Sequence, residues 1–164
     1  MEAGALTAEK LVELSIARIE AYDQSGPEIK SILSLSEKAL ETARALDKEY
    51  KISGPRSPLH GIPVLAKDVF DTNDMPTTGG YSPLKDVIPD RDSTIVARLR
   101  KAGAIILAKV NQSDWYTRPD LLASSTLGGN TKNPFALDRT PGWSSSGTSG
   151  GLAARFGTVG LGSE

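Results

Sequence analysis

The stretch Asp92–Asn111, DSTIVARLRKAGAIILAKVN, reads as a helix, a turn and a strand in immediate succession. Asp92 stands where a cap is expected, and Ile95, Val96, Leu99 and Ala102 recur at helical spacing. Gly103 ends the helix, and Ala104 to Val110 is an apolar run of strand length with the composition of a buried strand. Upstream, Gly61-Ile62-Pro63-Val64-Leu65-Ala66 is a second run of the same kind, leading into Lys67 and Asp68. Nearer the start, Leu11, Leu14, Ala17 or Arg18, and Ala21 or Tyr22 predict a helix over about residues 8–23, capped by Thr7, with Glu9, Glu13 and Glu20 on a solvated face. Ser25-Gly26-Pro27 breaks it, and Ile29 to Leu35 alternates as a short strand. A further helix is expected from Glu37 to Tyr50, capped by Ser36, with Ala39, Ala43, Leu46 and Tyr50 on one face. Alternating helices and strands of this kind predict an α/β fold, a sheet covered by helices on both sides.

Composition narrows the function. The 164 residues are 38% hydrophobic and 24% charged, enough for one compact unit and unlike a disordered chain. The formal net charge is −1 with both signs mixed, so there is no electrostatic reason to expect nucleic acid or an anionic membrane as partner. No apolar run approaches the length of a bilayer span. Zero cysteines excludes disulfides and thiolate metal sites, and a single histidine leaves few ligands for a transition metal, so no metal and no cofactor are expected. The start, Met1-Glu2-Ala3-Gly4, has neither a basic nor an apolar leader region, which is read as a cytoplasmic start or a boundary of the piece.

The chemistry concentrates in Pro141–Gly151, PGWSSSGTSGG. A serine hydroxyl holds its proton at neutral pH and needs a base within hydrogen-bond reach. His60, the only histidine, lies in the turn-rich Pro58-Leu59-His60-Gly61 and is read as structural or surface rather than as that base. Lys67 is the alternative, carried by an apolar strand into a poorly hydrated place that disfavours its charged form. An ordinary lysine, with pKa about 10.4, is neutral in only roughly one molecule in 2,500 at pH 7, so desolvation of up to about 3–5 units decides whether it can act. The competing placement has Lys67 paired with Asp68 or at a strand end on the surface. Ser145, Ser146, Thr148 and Ser149 fit the capping of a helix over about Gly150 to Phe156, and Gly142 and Gly147 fit close backbone approach. A phosphate loop is the rival reading, but the stretch lacks the GK[ST] ending and the GxGxxG spacing.

From Leu59 onward the chain resembles the amidase-signature enzymes, through GIPVLAKD around Lys67, DSTIVARLRKAGAIILAKVN, NTKNP from Asn130 to Pro134, and PGWSSSGTSGG, in that order. The resemblance implies hydrolysis of amides by a serine, a second serine in a cis peptide, and a lysine. It matches Lys67 to the catalytic lysine and Ser144, 77 residues later, to the bridging serine. It places the nucleophile, in a TGGS-type turn with the oxyanion amides, a few residues after Glu164. Ser145, Ser146, Gly142 and Gly147 are then loop or supporting residues, and Trp143 and Asn111 line the substrate. Trp143 stands where the family commonly has a second glycine, and Ser146 where many members have glycine. Asp114, Trp115, Tyr116 and Arg118 fall where members place substrate-contacting or core residues.

The implied fold is a mixed central sheet, incomplete in this chain. Residues 1–164 are the leading part of a single domain, with a helical region over 1–58 and the lysine and Gly/Ser-rich loop over 59–164. The expected activity is cleavage of a non-peptide C–N bond in a small-molecule amide through an acyl-enzyme, this piece alone being inactive. Expected partners are a second copy or the portion carrying the nucleophile. Two alternatives stand beside it: a noncatalytic truncated relative acting as a binding module, and an amidotransferase subunit releasing ammonia from glutamine. The segment Asp71 to Pro89, rich in Pro, Gly and Thr, fits either the rim of a substrate entrance or a plain connection.

Overall fold

A computed structural model of the chain describes residues 6–114 and 123–163. Its centre is β2 (Pro63–Lys67) beside β3 (Ile105–Val110), parallel, with every residue of both strands buried. Neither strand alternates in polarity because both faces of the sheet are covered. Outside them run β1 (Ile32–Leu35), antiparallel to β3, and β6 (Val159–Leu161), parallel to β2, giving the order β1-β3-β2-β6 and hence the mixed α/β sheet expected. A two-residue ladder, β4 (Ser124–Ser125) with β5 (Gly129–Asn130), stands apart.

Four α-helices among the described residues cover the sheet: α1 (Ala8–Tyr22), α2 (Ala39–Ser53), α3 (Thr94–Lys101) and α4 (Ser146–Ala153). One face packs Leu65, Ile105, Leu107 and Val110 against Val12 and Ile19 of α1, Ala43 and Leu46 of α2, and Phe156. The other packs Val64, Ala66 and Ile106 against Val96 of α3 and Met75. Each large aliphatic side chain so buried contributes about 1.5–3 kcal/mol. Lys67 and Leu65 share the first face through the period of two along β2.

Thr7 caps α1 as expected, its Oγ1 accepting from Lys10 N at 3.0 Å, and Asp47 of α2 accepts from Ala8 N and Glu9 N at 2.8 and 2.9 Å. The buried stripe of α1 is Ala8, Val12, Ser15 and Ile19, one position from the predicted Leu11 and Leu14, and Leu14 is exposed. Smaller residues face inward there because α2 lies close. The strand expected from Ile29 begins only at Ile32, since Glu28 and Lys30 take positive φ of 53° and 56° and break the extended chain. Ser36 does not cap α2; its amide donates to Leu107 O at the sheet, and the helix starts at Ala39. Asp92 does not cap α3 either, because its carboxylate accepts from Asn73 N and pairs with Arg100 Nε at 3.1 Å. Instead Asp92 and Asp74 anchor the 71–92 excursion to α3 through Arg100.

Candidate active site

Lys67 ends β2 and is fully buried, yet its Nζ meets a row of hydroxyls: Ser144 Oγ at 2.9 Å, Ser145 Oγ at 3.2 Å and Ser163 Oγ at 2.8 Å. Three residues from two distant segments are gathered there by one strand and one helix. The strand β6 runs parallel to β2 with Ala66 opposite Leu161, which delivers Ser163 beyond the end of Lys67. The helix α4 brings Ser144 and Ser145 at its start. Ser145 and Ser163 are also tied to each other, Ser145 Oγ donating to Ser163 O at 3.0 Å and accepting from Ser163 N at 3.1 Å. A hydroxyl both donates and accepts, so this cluster can pass a proton along itself.

The helix α4 reaches that position because it has almost no side chains on the sheet side. A Cβ at Gly147 would lie 2.3 Å from Asn111 N, and one at Gly151 2.6 Å from Ser31 Oγ and 2.8 Å from Leu65 Cδ1. Gly147 N donates to Asn111 O, and Ser31 Oγ donates to Gly147 O, so helix and strand are joined backbone to backbone. This corrects the expected helix over Gly150 to Phe156: α4 spans Ser146–Ala153 and contains the glycines. Glycine disfavours a helix interior by about 1 kcal/mol, and close approach to the sheet offsets that cost. Arg155, at φ 60°, ends it.

The other sequence-predicted residues fall into distinct places. Ser146 is buried, its Oγ toward Ala123 O and Thr131 Oγ1 at 3.5 Å each. Gly142 sits at φ 144°, which favours glycine, and Ser149 Oγ donates to Pro141 O across the same turn. Trp143, directly before Ser144, is 55% exposed. Asn111, expected to line substrate, is instead 0% exposed. Its Nδ2 donates to Lys30 O, Gly129 O and Thr131 Oγ1, and its Oδ1 accepts from Gln112 N and Ser125 Oγ. Such a residue joins segments, and none of its amide is left for a ligand. The bond from Trp143 to Ser144 is trans, as is every described peptide bond, so the cis serine implied by the resemblance is not found. The trans form is lower in energy by about 3–4 kcal/mol for a non-proline residue, and Ser144 reaches Lys67 from it. Trp115, Tyr116 and Arg118 lie outside the described residues, while Asp114 accepts from Thr126 N.

His60 is structural: its Nε2 lies 3.0 Å from Leu46 O and its Nδ1 accepts from Arg56 N, so the tautomer carries its proton on Nε2. Asp68, the alternative partner for Lys67, pairs instead with Lys109 on the other face of the sheet. Ser163 carries no mark in the sequence. Its only signal is the parallel register of β6 on β2, which requires recognising the three-residue Val159–Leu161 as a strand. Among the described residues no group of three His, Cys, Asp or Glu could hold a metal, and no helix is long and apolar enough to cross a membrane.

The family model described as Amidase matches residues 10–164. A glutamyl-tRNA(Gln) amidotransferase subunit of Geobacter metallireducens is 37% identical over 160 residues, covering 97% of this chain and 32% of its own length. Among solved structures, the native peptide amidase of Stenotrophomonas maltophilia superimposes with a TM-score of 0.92 at 36% identity, over 96% of this chain and 33% of that one. A fatty acid amide hydrolase superimposes with a TM-score of 0.86 at 29% identity, over 99% of this chain and 28% of that one. The chain thus spans about a third of the length of these relatives. The family match runs over nearly all of its length, and this chain belongs to the amidase family.

Proposed function

We propose that the chain supplies the proton-relay half of an enzyme that hydrolyses a carboxylic amide C–N bond through a serine acyl-enzyme. The observation that carries this is the 2.9 Å approach of a fully buried lysine amine to Ser144 Oγ at the start of α4. In the relay, Lys67 in its amine form accepts the Ser144 proton while Ser144 accepts one from the attacking hydroxyl. That hydroxyl adds to the amide carbonyl carbon, and collapse of the tetrahedral adduct breaks the C–N bond as the proton returns along the same path to the leaving nitrogen. Water then adds to the acyl carbonyl by the same route, releasing the carboxylic acid and the serine. The attacking serine and its oxyanion amides are assigned to a turn after Glu164 by the resemblance.

The substrate class is a carboxamide, with no restriction to non-peptide bonds, since a peptide amidase is among the similar structures. Similarity to glutamyl-tRNA(Gln) amidotransferase subunits favours a second reading, in which the amide is glutamine and the ammonia passes to a partner. The test uses the full-length gene product carrying this segment. A fluorophosphonate should label a serine beyond residue 164, and Lys67→Ala should cut hydrolysis of a chromogenic anilide by at least about a thousandfold with the fold retained. Near-normal turnover in that variant rejects the relay. Turnover that appears only with a copurifying partner and an acyl-tRNA acceptor selects the second reading.

A further inference from the structure

Lys67 has a second charged neighbourhood beneath it, on the sheet face away from the serines. Asp68 and Lys109 form an ion pair at 3.0 Å, with side chains 1% and 0% exposed. Both ends are then closed by the 76–80 loop. Lys109 Nζ donates to Pro76 O at 2.9 Å and to Thr77 Oγ1 at 2.7 Å, while Asp68 Oδ2 accepts from Thr78 N, Thr78 Oγ1 and Gly80 N. Asp68 follows Lys67 directly, and Lys109 faces Ala66 in the register of β3 on β2. A carboxylate and an ammonium are thus carried within one residue of Lys67 along the paired strands.

The elements packed around Lys67 add little charge of their own among the described residues. Residues Ser144–Gly151 and Val159–Ser163, which face Lys67 from α4 and β6, carry no ionisable side chain. From α1 and its end, Arg18 donates to Ala154 O, and Asp23 accepts from Ser31 N and Ile32 N. Asp47 of α2 is held on the first amides of α1, and Arg100 of α3 on Asp74 and Asp92. On the pair's own side Asp71 and Asp74 act on Lys109 from the 71–92 excursion. Burial pushes the Lys109 ammonium down, and the Asp68 carboxylate opposes that.

We propose that the Asp68–Lys109 pair is a charge-neutral brace that sets the proton affinity of Lys67, so that both residues are positioning residues for the relay. This rests on Lys67 being the base. Cancelling charges contribute little net field at the amine, whereas an unmatched charge buried at the adjacent strand positions acts on it with little water to screen it. Removing Lys109 leaves the Asp68 carboxylate, which favours the ammonium of Lys67. Removing Asp68 leaves the Lys109 ammonium, which favours the amine.

The experiment uses the full-length gene product with two readouts: the acid limb of the pH–kcat profile on an anilide, and the titration of Lys67 by 13Cε-lysine NMR, which reads ionisation with or without turnover. Lys109→Met should move both toward higher pH by about one unit. Asp68→Asn should move both to lower pH, and the Asp68→Asn/Lys109→Met double variant should restore the parent values within about 0.3 unit. Lys109→Arg, which keeps the charge, should titrate as the parent. If the single variants fail to fold, the double variant and Lys109→Arg decide alone, and a shift of about one unit in either overturns the proposal. Folded single variants with lowered kcat but unmoved titration overturn it as well, making the pair structural only. A protein with no amide hydrolysis sinks the relay reading instead, while the NMR titration still judges the brace.

Discussion

Replacing Gly147 with alanine isolates the close contact that places the serines. The added Cβ would meet Asn111 N at 2.3 Å and Asn111 O at 2.4 Å, both backbone atoms that cannot rotate away, against 3.4 Å for the start of ordinary contact. The start of α4 must therefore move about 1 Å off β3, breaking the bond from Gly147 N to Asn111 O. Overpacking of this kind costs about 1–3 kcal/mol. In the full-length protein about 2 kcal/mol lowers the melting temperature by a few degrees or less, since the shift per kcal/mol falls as the cooperative unit grows. The same ~1 Å would stretch Lys67 to Ser144 from 2.9 Å to about 3.9 Å, beyond hydrogen-bond distance, and displacement of a reacting group on that scale costs about a hundredfold in rate. Thermal unfolding by circular dichroism and kcat on an anilide, in the full-length protein, measure the two effects separately. Gly54→Ala is the control: it has open space but φ 75° and ψ −176°, a backbone region essentially reserved for glycine, so it should cost about 1–3 kcal/mol of stability and leave kcat alone. A Gly147→Ala protein with parental melting and parental kcat would refute the claim that backbone contact at Asn111 sets the site.

Two further outcomes follow from particular residues. Ser163→Ala removes one hydroxyl from Lys67 and should lower kcat about tenfold with fluorophosphonate labelling intact; loss of labelling would make Ser163 the attacked group and move the nucleophile into this segment. Burial raises the Asp23 carboxyl above its ordinary 3.8 despite the backbone bonds from Ser31 and Ile32, so the native state holds that proton more tightly than the unfolded chain. Its contribution to stability should fall as pH rises from 3.8 through the raised value and stay flat above it; denaturant titrations of Asp23→Asn against the parent at about pH 4 and 7 should show that slope lost, and an unchanged slope would contradict it.

Much of this architecture was legible in the chain. The unbroken apolar runs before Lys67 and Asn111 have the length and composition of strands covered on both faces, and Thr7, Ala39, Ala43 and Leu46 did what their positions announced. Lys67 and Ser144 were marked by residue type and by resemblance, and the structure brings them together. What escaped reading depends on tertiary contact. The glycines of α4 look like loop residues until the Asn111 backbone beneath them is seen, and Asn111 looks like a ligand-facing amide until its bonds to Lys30, Gly129, Thr131, Gln112 and Ser125 are traced. Asp92 is a plausible cap on sequence alone, but Arg100 and Asn73 compete for it and win. The Lys109–Asp68 pair crosses between strands, and no local pattern in either strand announces it.

The excursion from Asp71 to Asp92 is held near both ends, by the Pro76–Gly80 contacts below the sheet and by Arg100 on Asp74 and Asp92. Between those anchor points Lys85 to Ile88 are all exposed, and Val87 O accepts from Thr77 N at 3.0 Å. An exposed stretch held at both ends is where a reporter can be grafted, since the Pro76–Gly80 and Arg100 contacts keep the ends of the excursion in place.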